Sequence, residues 1–463
     1  MTFIKKLKEE VLQSKDYKFR EFIIKRKKVY LIFNEVLCST TMINDFILDN
    51  LVSFNKKELN NIMYYLPDSN VLEINRSDVF TYLNQGFCII ITNKIYAIEV
   101  RERLDRGINS VERELSVTGP KDSFTELFNS NLGLIRRRIK STKLFSLDLE
   151  IGRYSKTKVS VLGIKGIVKD ELVKSIYNKL KNINIDGIID SSYIKSYLEN
   201  KSLFPTVMLT ERPDKASQAL LEGKVIILCD LSPYAIILPS FFIDFFHTAD
   251  DYYQKKSNTS FIRIIRLISF LIAIFLPGIY IAVTTRNYDL VPFPLLMILK
   301  AGRTFVPFPA YIEALFMIIC FEILKESDLR MSSTTGSAVS ILGGLILGDA
   351  AVSAGIVSPI MIIIIAISSI AALIFPTVEL VNAIRFYKIL LLFLAALFGI
   401  YGVFLGTVYL LYHLFSMKSF NFSYLAPFHP FKLKELSDSF ILKDNKVMQR
   451  NSYLTDNVVR GRK

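Results

Sequence analysis

Five apolar segments follow one another in the C-terminal half of the chain, and they constrain its fold more than any other feature. They are Phe261 to Val283, Phe305 to Phe321, Gly336 to Val357, Pro359 to Pro376 and Ile389 to Leu411. A helix needs about 20 mainly apolar residues to cross the hydrocarbon core of a bilayer. One such run is compatible with the buried helix of a soluble protein, but the succession predicts a polytopic α-helical membrane domain. The composition agrees, since 51% of the residues are hydrophobic.

Basic residues predict how this membrane domain is oriented. Arg263 and Arg266 open the first apolar segment, and the tail after Met417 is rich in lysine and arginine. Such residues are enriched in cytoplasmic loops, so both ends of the membrane domain are expected in the cytoplasm. That arrangement requires an even number of crossings. At least one of the five segments is therefore expected to be re-entrant or interfacial, unless the stretch Leu290 to Leu299 dips into the membrane as well.

The first half of the chain carries one pattern twice, which predicts two related α/β subdomains. The runs Val29 to Leu37 and Val159 to Ile167 each follow a basic turn and precede a segment of helical periodicity, so each is expected to be a strand. Leu83-Asn-Gln-Gly86 and Leu220-Leu-Glu-Gly223 each indicate a helix end with a glycine cap, followed by a β-hairpin. The charged N-terminus has no apolar core, so this half is expected to stay in the cytoplasm.

These features predict four parts of the chain: an α/β subdomain at 1–120, a linker helix with a second α/β subdomain at 121–240, the membrane domain at 241–417 and a basic cytoplasmic tail at 418–463. The linker helix is expected between Asp122 and Lys140. It ends in the run Arg136-Arg137-Arg138, for which a solvated face is favoured over an anion site.

Ionisable residues within the apolar segments are candidate pore or gating residues, because a charge near the bilayer centre costs at least about 3 kcal/mol. Glu313 and Asp349 lie deepest, and each is a candidate to line an aqueous or protein-buried path. Glu322 and Glu379 are expected at the membrane interface. The glycine-rich third segment, beside Glu313 and Asp349, is the expected gate.

Small residues four apart predict where helices pack closely. Gly344 and Gly348 fit the small-x-x-x-small pattern, and so do Gly402 and Gly406. The first pair lies in the expected gate and is included among the candidate gating residues. The pattern is frequent in membrane helices, so it indicates packing more strongly than oligomerisation.

Several classes of function are not supported by the residues. Cys38, Cys88, Cys229 and Cys320 have no zinc or redox spacing, and no pair of the three histidines has a ligand spacing. No nucleophile stands with a base and no cofactor loop is present, so neither an enzyme, a cofactor nor a metal site is expected. The net charge of +14 is attributed to an anionic membrane face or to cytoplasmic loops rather than to nucleic-acid binding, because no aromatic and basic stripe accompanies it.

A set of short strings, taken in order, resembles one family, the A subunits of GerA-type spore germination receptors. The strings include Asp122-Ser-Phe-Thr-Glu, Leu134-Ile-Arg-Arg-Arg-Ile, Asn184-Ile-Asp-Gly-Ile, Thr210-Glu-Arg-Pro-Asp214, Phe242-Ile-Asp-Phe-Phe, Val306-Pro-Phe-Pro-Ala-Tyr-Ile-Glu313-Ala and Ala354-Gly-Ile-Val-Ser-Pro359. The resemblance extends from about residue 17 to residue 415, and the combination is specific although no single string is.

The resemblance implies an inner-membrane protein of bacterial endospores that senses small nutrient germinants. It implies a transporter-like B subunit and a lipoprotein C subunit as partners, in contact with membrane lipid. It also implies self-association, with a pentamer as the expected form, into a germinant-gated ion channel. The family motifs further mark residues with structural or interface roles: Glu211, Arg212, Pro213, Asp214, Arg136 and Arg137.

Three alternatives stay open. One is a stage V sporulation-type relative that acts in ion release without nutrient sensing. A second is a secondary transporter, which would favour inverted repeats, and residues 261 to 415 contain none. The third is a scaffold whose membrane half only anchors the cytoplasmic subdomains. The germinant, the ion and the residues that contact the ligand are not specified by the sequence.

Overall fold

The computed structural model of the protein consists of two five-stranded antiparallel sheets with their helices, followed by a bundle of helices. It describes residues 2–11, 15–25, 27–55, 58–60, 62–66, 71–102, 114, 118–330, 344, 348–431, 436–442 and 454–455.

The first sheet has the strand order β1-β2-β4-β5-β3, with every neighbouring pair antiparallel. Its subdomain consists of α1 (Thr2–Val11), β1 (Tyr17–Ile24), β2 (Lys27–Asn34), α2 (Thr40–Met42), a π-helical segment (Ile43–Leu48), α3 (Asp49–Ser53), β3 (Val71–Glu73), α4 (Val79–Leu83), β4 (Phe87–Ile91) and β5 (Ile95–Glu99).

The second sheet repeats this topology with the order β6-β7-β9-β10-β8. Its subdomain consists of α5 (Phe128–Arg138), β6 (Leu144–Ile151), β7 (Thr157–Ile164), α6 (Asp170–Lys181), α7 (Ser191–Leu198), β8 (Met208–Thr210), α8 (Pro213–Glu222), β9 (Val225–Cys229) and β10 (Ala235–Leu238). The predicted pair of related subdomains is thus confirmed, and the two predicted hairpins are β4–β5 and β9–β10. The boundaries at residues 120, 240 and 417 stay predictions.

Both faces of each sheet are buried, which explains why the central strands lack the alternation of a half-exposed strand. In the first sheet, Val29 and Leu31 point into one core, while Ile32 and Ile89 point into another. All five residues of β4 and all five of β9 are buried. The outer strands β1 and β6, which pair with β2 and β7, carry polar residues among their apolar ones and were not predicted.

The linker helix differs from its prediction in two ways. It begins at Phe128 rather than at Asp122, and it ends at Arg138. Arg136 is only 1% exposed, and its Nε lies 2.8 Å from the Asp16 carboxylate in the first subdomain. The prediction of a solvated face is therefore wrong for Arg136, which joins the two subdomains. Arg137 is exposed, as that prediction requires.

The helical half consists of α9 (Lys256–Thr285), α10 (Phe293–Ala301), α11 (Ala310–Arg330), α12 (Pro359–Leu373), α13 (Val378–Phe398) and α14 (Ile400–Ser416). Two of these, α9 and α13, are long and apolar enough to cross a membrane, and α12 and α14 are shorter apolar helices. The nine-residue α10, which covers most of the stretch Leu290 to Leu299, is too short to cross the hydrocarbon core. Most of the predicted segment Gly336 to Val357 lies outside the described residues.

The last predicted segment, Ile389 to Leu411, is not one helix. Gly399 interrupts it with φ +61° and ψ −137°, a conformation that side chains with a Cβ rarely adopt. The helices α13 and α14 on either side form an antiparallel hairpin, in which Gly406 faces Leu391 and Gly402 faces the Leu394 carbonyl. The single-span prediction is wrong, whereas the close packing predicted from Gly402 and Gly406 is confirmed.

The hairpin brings the end of the bundle back to the two α/β subdomains, which together we call the soluble half. Glu379, in the first turn of α13, lies 2.6 Å from the Lys195 ammonium of the second subdomain. His413, near the end of α14, lies 3.2 Å from the Ser202 hydroxyl. The start of α13 and the end of α14 therefore both adjoin the second subdomain. The cytoplasmic location that the basic residues predict stays a prediction. The number of membrane crossings stays a prediction.

Candidate functional site

Glu313 lies buried at the end of the bundle that is remote from the soluble half. Proline ends the preceding loop, so α11 begins at Ala310 and carries Glu313 in its first turn, where a helix stabilises negative charge. The carboxylate accepts a hydrogen bond from Arg303 Nη2 at 2.9 Å. Its other oxygen accepts from the Ser358 amide at 3.1 Å and from the Ser358 hydroxyl at 3.0 Å.

This cluster of Arg303, Glu313 and Ser358 fastens three elements together. Ser358 is the N-cap of α12, and Arg303 lies in the loop between α10 and α11. Glu313 is 1% exposed, so removing its charge would leave the arginine poorly compensated in a buried site. The sequence predicted Glu313 as a candidate residue but predicted neither of its partners. The one local signal was Arg303 ten residues earlier, beyond the range of helical pair rules.

The other candidate gating residues do not join this cluster. Asp349 is exposed, in a helical stretch at 348–353, and forms no hydrogen bond or ion pair with another described residue. A Cβ at Gly344 or at Gly348 would meet no described atom within 4 Å. Within the described part of the chain, the predicted close packing is therefore absent at Gly344 and Gly348. Gly344 instead lines a cavity between α11, α12 and α13.

The string Glu211-Arg212-Pro213-Asp214 holds the segment before α5 against the second subdomain. We call this segment, which includes Glu114 and Pro120, the linker. Arg212 is 1% exposed and donates to Asp214 at 2.7 Å, to the Pro120 carbonyl at 3.1 Å and to the Glu114 carbonyl at 3.2 Å. Glu211 accepts a hydrogen bond from the Glu114 amide at 2.7 Å. Pro213 starts α8, where its missing N–H leaves no helical bond unmade.

Asp214 extends the same network to the segment that leads into α9. The Tyr253 hydroxyl donates to Asp214 at 2.8 Å. Burial alone would raise the pKa of the Asp214 carboxyl, but the hydrogen bonds from Arg212 and Tyr253 hold this pKa below its ordinary value. The carboxylate therefore stays charged at neutral pH and keeps the linker, the second subdomain and the entry to α9 together.

A second buried network, which we call the junction, lies where α9 enters the soluble half, and it is centred on Asp251. Arg263 Nε lies 3.0 Å from the Asp251 carboxylate, and Arg266 Nη1 lies 3.0 and 2.8 Å from its two oxygens. The two arginines are three residues apart on α9, so they project from one face of the helix. Burial would raise the pKa of Asp251, but the bonds and charges of Arg266 and Arg263 lower it.

The junction also includes the C-terminal region of the chain. Arg263 Nη1 donates to the carbonyl and to the carboxylate of Asp438, each at 2.9 Å, and His247 Nε2 lies 2.9 Å from the Ser439 carbonyl. Burial, together with the nearby Arg263, lowers the pKa of His247 well below its ordinary value, so this ring is neutral at pH 7. The second subdomain, α9 and the C-terminal region thus share one buried set of polar contacts.

Such an arrangement fastens the soluble half to the first helix of the bundle. From the sequence alone, Arg263 and Arg266 predict only the side of the membrane on which α9 begins. In the structure, Arg263 is 0% exposed and Arg266 is buried, and both bind protein groups. The spacing of the two arginines, with Asp251 upstream, was a signal for pairing, but sequence did not reveal that the chain folds back to bring them together.

Comparison with known proteins identifies the relatives of this chain. Residues 5–453 match the family model described as Bacillus/Clostridium GerA spore germination protein. Spore germination protein KA of Bacillus subtilis (strain 168) is 38% identical over 336 residues, which are 72% of this chain and 62% of that protein. This chain therefore spans less than two thirds of that relative's length.

Two further similarities were found. The uncharacterized membrane protein YfkQ of Bacillus subtilis (strain 168) is 36% identical over 378 residues, which are 81% of this chain and 74% of that protein. The crystal structure of the N-terminal domain of the A subunit of the Bacillus megaterium spore germinant receptor GerK3 covers 52% of this chain and 94% of its own. That alignment has 29% identity and a TM-score of 0.40.

Proposed function

This chain belongs to the Bacillus/Clostridium GerA family of spore germination proteins, and we propose that it is the A subunit of a receptor that senses small nutrient germinants and triggers germination. The observation that carries the proposal is the junction, because it joins a soluble half to a helix able to cross a membrane. A receptor needs such a connection between the part that senses and the part that responds.

The proposed response is a change between two states of the bundle. A ligand shifts such an equilibrium only if it binds the two states unequally. In this proposal the stimulus, received directly or through a partner subunit, moves the second subdomain, and the junction passes the movement to α9. The Arg303–Glu313–Ser358 cluster, at the opposite end of the bundle, holds one of the two states.

We further propose that copies of the chain assemble, as a pentamer, into an ion channel that opens on germinant binding. Gly348, where an added Cβ would meet no described atom within 4 Å, supports contact with a second copy. A transporter-like B subunit and a lipoprotein C subunit are the proposed partners. The proposed location is the spore inner membrane, with the soluble half in the cytoplasm. No enzymatic step is part of this proposal.

The gating role of Glu313 is tested by Glu313→Gln in spores that carry only the variant receptor. The neutral amide keeps the shape but removes the charge that Arg303 binds, so we expect germination in response to nutrients to slow at least tenfold. Asp289→Asn is the matched control, because Asp289 is exposed near the same end of the bundle. Germination rates are compared at equal membrane levels of protein, measured by immunoblot.

Conductance distinguishes a channel from an anchoring scaffold. Purified wild-type protein reconstituted with its partners in liposomes is expected to release entrapped ions when the nutrient is added, and Glu313→Gln is expected not to. If the variant supports full germination at normal abundance, the proposed gating role of Glu313 is wrong. If the wild-type protein is a monomer that assembles with no partner, the proposed channel is wrong.

A further inference from the structure

A cavity of about 260 Å³ lies between α11, α12 and α13, and neither the gating cluster nor the junction uses it. Its apolar wall is formed by residues such as Phe321, Leu324 and Ile384. Its volume is several times the ~30 Å³ that one water molecule occupies in the liquid. The cavity is thus large enough for a small polar group with part of an attached chain.

Among the described residues that line the cavity, one buried cation has no partner in contact. Arg385 is paired with Glu322, with Nη2 2.6 Å from the carboxylate. Lys388 is 3% exposed, lines the same cavity and forms no hydrogen bond or ion pair with any residue that the structure describes. The Glu322 carboxylate acts on Lys388 only at longer range and is already paired with Arg385. A buried ammonium with no counter-charge in contact is costly, so the site favours an anion beside Lys388.

The other charges of the cavity agree with an anionic ligand. Lys325 also lines it and has no ion pair with another described residue. Among the described residues of the lining, Asp328 is the one remaining acidic residue, and it is exposed. With Glu322 and Arg385 neutralising each other, two lysines face one carboxylate, so the cavity retains a net positive charge.

The position of the cavity indicates what carries the anion. Lys388 follows Glu379 by nine residues on α13, which corresponds to about 14 Å along the helix from the contact with the soluble half. That depth suits the headgroup and upper acyl region of a bilayer, where long lysine side chains reach lipid phosphates. Leu373 lines the cavity and is 59% exposed, so its apolar wall continues onto the outer surface of the bundle.

We propose that this cavity is a binding site for an anionic phospholipid, whose phosphate is held by Lys388 and Lys325 and whose acyl chain lies along the apolar wall toward Leu373. The site is distinct from the Glu313 cluster, which lies at the other end of the bundle. The bound lipid supplies the counter-charge that Lys388 lacks and fastens α11 to α13. The inference depends on the membrane location of the bundle but not on its role in germination.

The test uses the full chain, purified in detergent and examined by native mass spectrometry with phosphatidylglycerol or phosphatidylcholine of the same acyl chains. Wild-type protein is expected to retain phosphatidylglycerol at least tenfold more tightly. Lys388→Met removes the charge and keeps the length, so it is expected to reduce this preference to near unity, whereas Lys388→Arg is expected to keep it. Lys300→Met, which removes a charge from the opposite end of the bundle, is expected to change nothing.

Thermal unfolding in nanodiscs provides a second measurement that also reports folding. In phosphatidylcholine, Lys388→Met is expected to melt no lower than wild type, because it removes an unpaired buried charge. In phosphatidylglycerol, only wild type and Lys388→Arg are expected to gain stability. Equal binding of phosphatidylglycerol by wild type and Lys388→Met would overturn the proposal. So would stabilisation of wild type by inorganic phosphate equal to that by the lipid, since the ligand would then be a free anion. Neither outcome bears on germination, which separates this proposal from the previous one.

Discussion

Several buried charges in this protein are paired with residues that are distant in the chain. Arg136 binds Asp16 across the two subdomains, and Arg263 binds both Asp251 and Asp438. Replacing a buried pair by apolar residues is often neutral, but removing one partner leaves a charge without compensation. These residues therefore specify which elements adjoin one another, and they are sensitive positions even where they contribute little net stability.

Asp251 is the most sensitive of these positions, because two buried arginines share its carboxylate. Asp251→Asn keeps the size of the side chain but leaves the two cations facing each other. We expect it to lower the free energy of unfolding by about 3–5 kcal/mol. Thermal unfolding of the purified full chain in detergent measures this effect.

The matched substitution for Asp251→Asn is Asp170→Asn, at the exposed start of α6. Loss of one favourable charge at a helix N-terminus costs about 0.3–1 kcal/mol. If both variants unfold at the same temperature, the junction does not hold α9 in the way that the structure indicates.

Among the helices, the hairpin of α13 and α14 depends on small residues at defined positions. A Cβ at Gly402 would overlap the carbonyl oxygen of Leu394, and a Cβ at Gly406 would overlap Leu391. The backbone oxygen cannot move aside as a side chain can, so the approach at Gly402 is the more restrictive of the two. Close approach of the backbones, together with the turn at Gly399, is what folds one long apolar run into two helices.

Gly402→Ala is expected to force α13 and α14 apart and to lower stability by about 1–3 kcal/mol, as overpacking commonly does. Gly278→Ala is the control within the same bundle, because a Cβ there would lie 3.4 Å from Leu391 Cβ, an ordinary contact. Alanine also favours a helix over glycine by about 1 kcal/mol, so this control is expected to be neutral or stabilising. The melting temperatures of the two variants are compared with that of the wild type. A Gly402→Ala protein that melts at the wild-type temperature would contradict the close packing of α13 against α14.

At the scale of the whole molecule, the second subdomain and the bundle share one hydrophobic cluster. The ring of Phe204 stacks on that of Tyr387 with centroids 5.4 Å apart, and Phe246 lies 5.4 Å from both Phe270 and Phe375. This cluster includes residues of the second sheet, of its helices α5 and α8, of the loop that follows the sheet and of the bundle helices α9, α12, α13 and α14. Because no solvent layer separates the halves, a movement of one is expected to displace the other.

The ion pair between Lys195 and Glu379 is a direct measure of this docking. In a double-mutant cycle with Lys195→Met and Glu379→Gln, we expect a coupling free energy of about 1 kcal/mol, because Glu379 is partly exposed and its charge is screened. Denaturant unfolding of the four proteins gives the value. Additive effects of the two substitutions would show that the subdomain does not dock on α13 through this pair.

The repeated subdomains, their central strands, the helices α9, α11 and α12 and the packing of Gly402 and Gly406 follow from the sequence. Each of these depends on hydrophobicity, periodicity or residue size over a short stretch, and these properties can be identified from neighbouring residues in the sequence. A partnered, protein-buried position for Glu313 was also predictable, since a carboxylate in an apolar run needs a compensating group. Its gating role stays a prediction.

The partners of the buried charges were settled by tertiary structure alone. Arg303 and Ser358 meet Glu313, and Asp251 and Asp438 meet Arg263, because loops and whole helices return the chain to those points. The break at Gly399 has the same origin, since a glycine within an apolar run is compatible with a continuous helix until a neighbouring helix packs against it. A charged residue in an apolar stretch predicts that a counter-charge lies nearby. Which group supplies that counter-charge depends on the tertiary fold, which no local sequence pattern specifies.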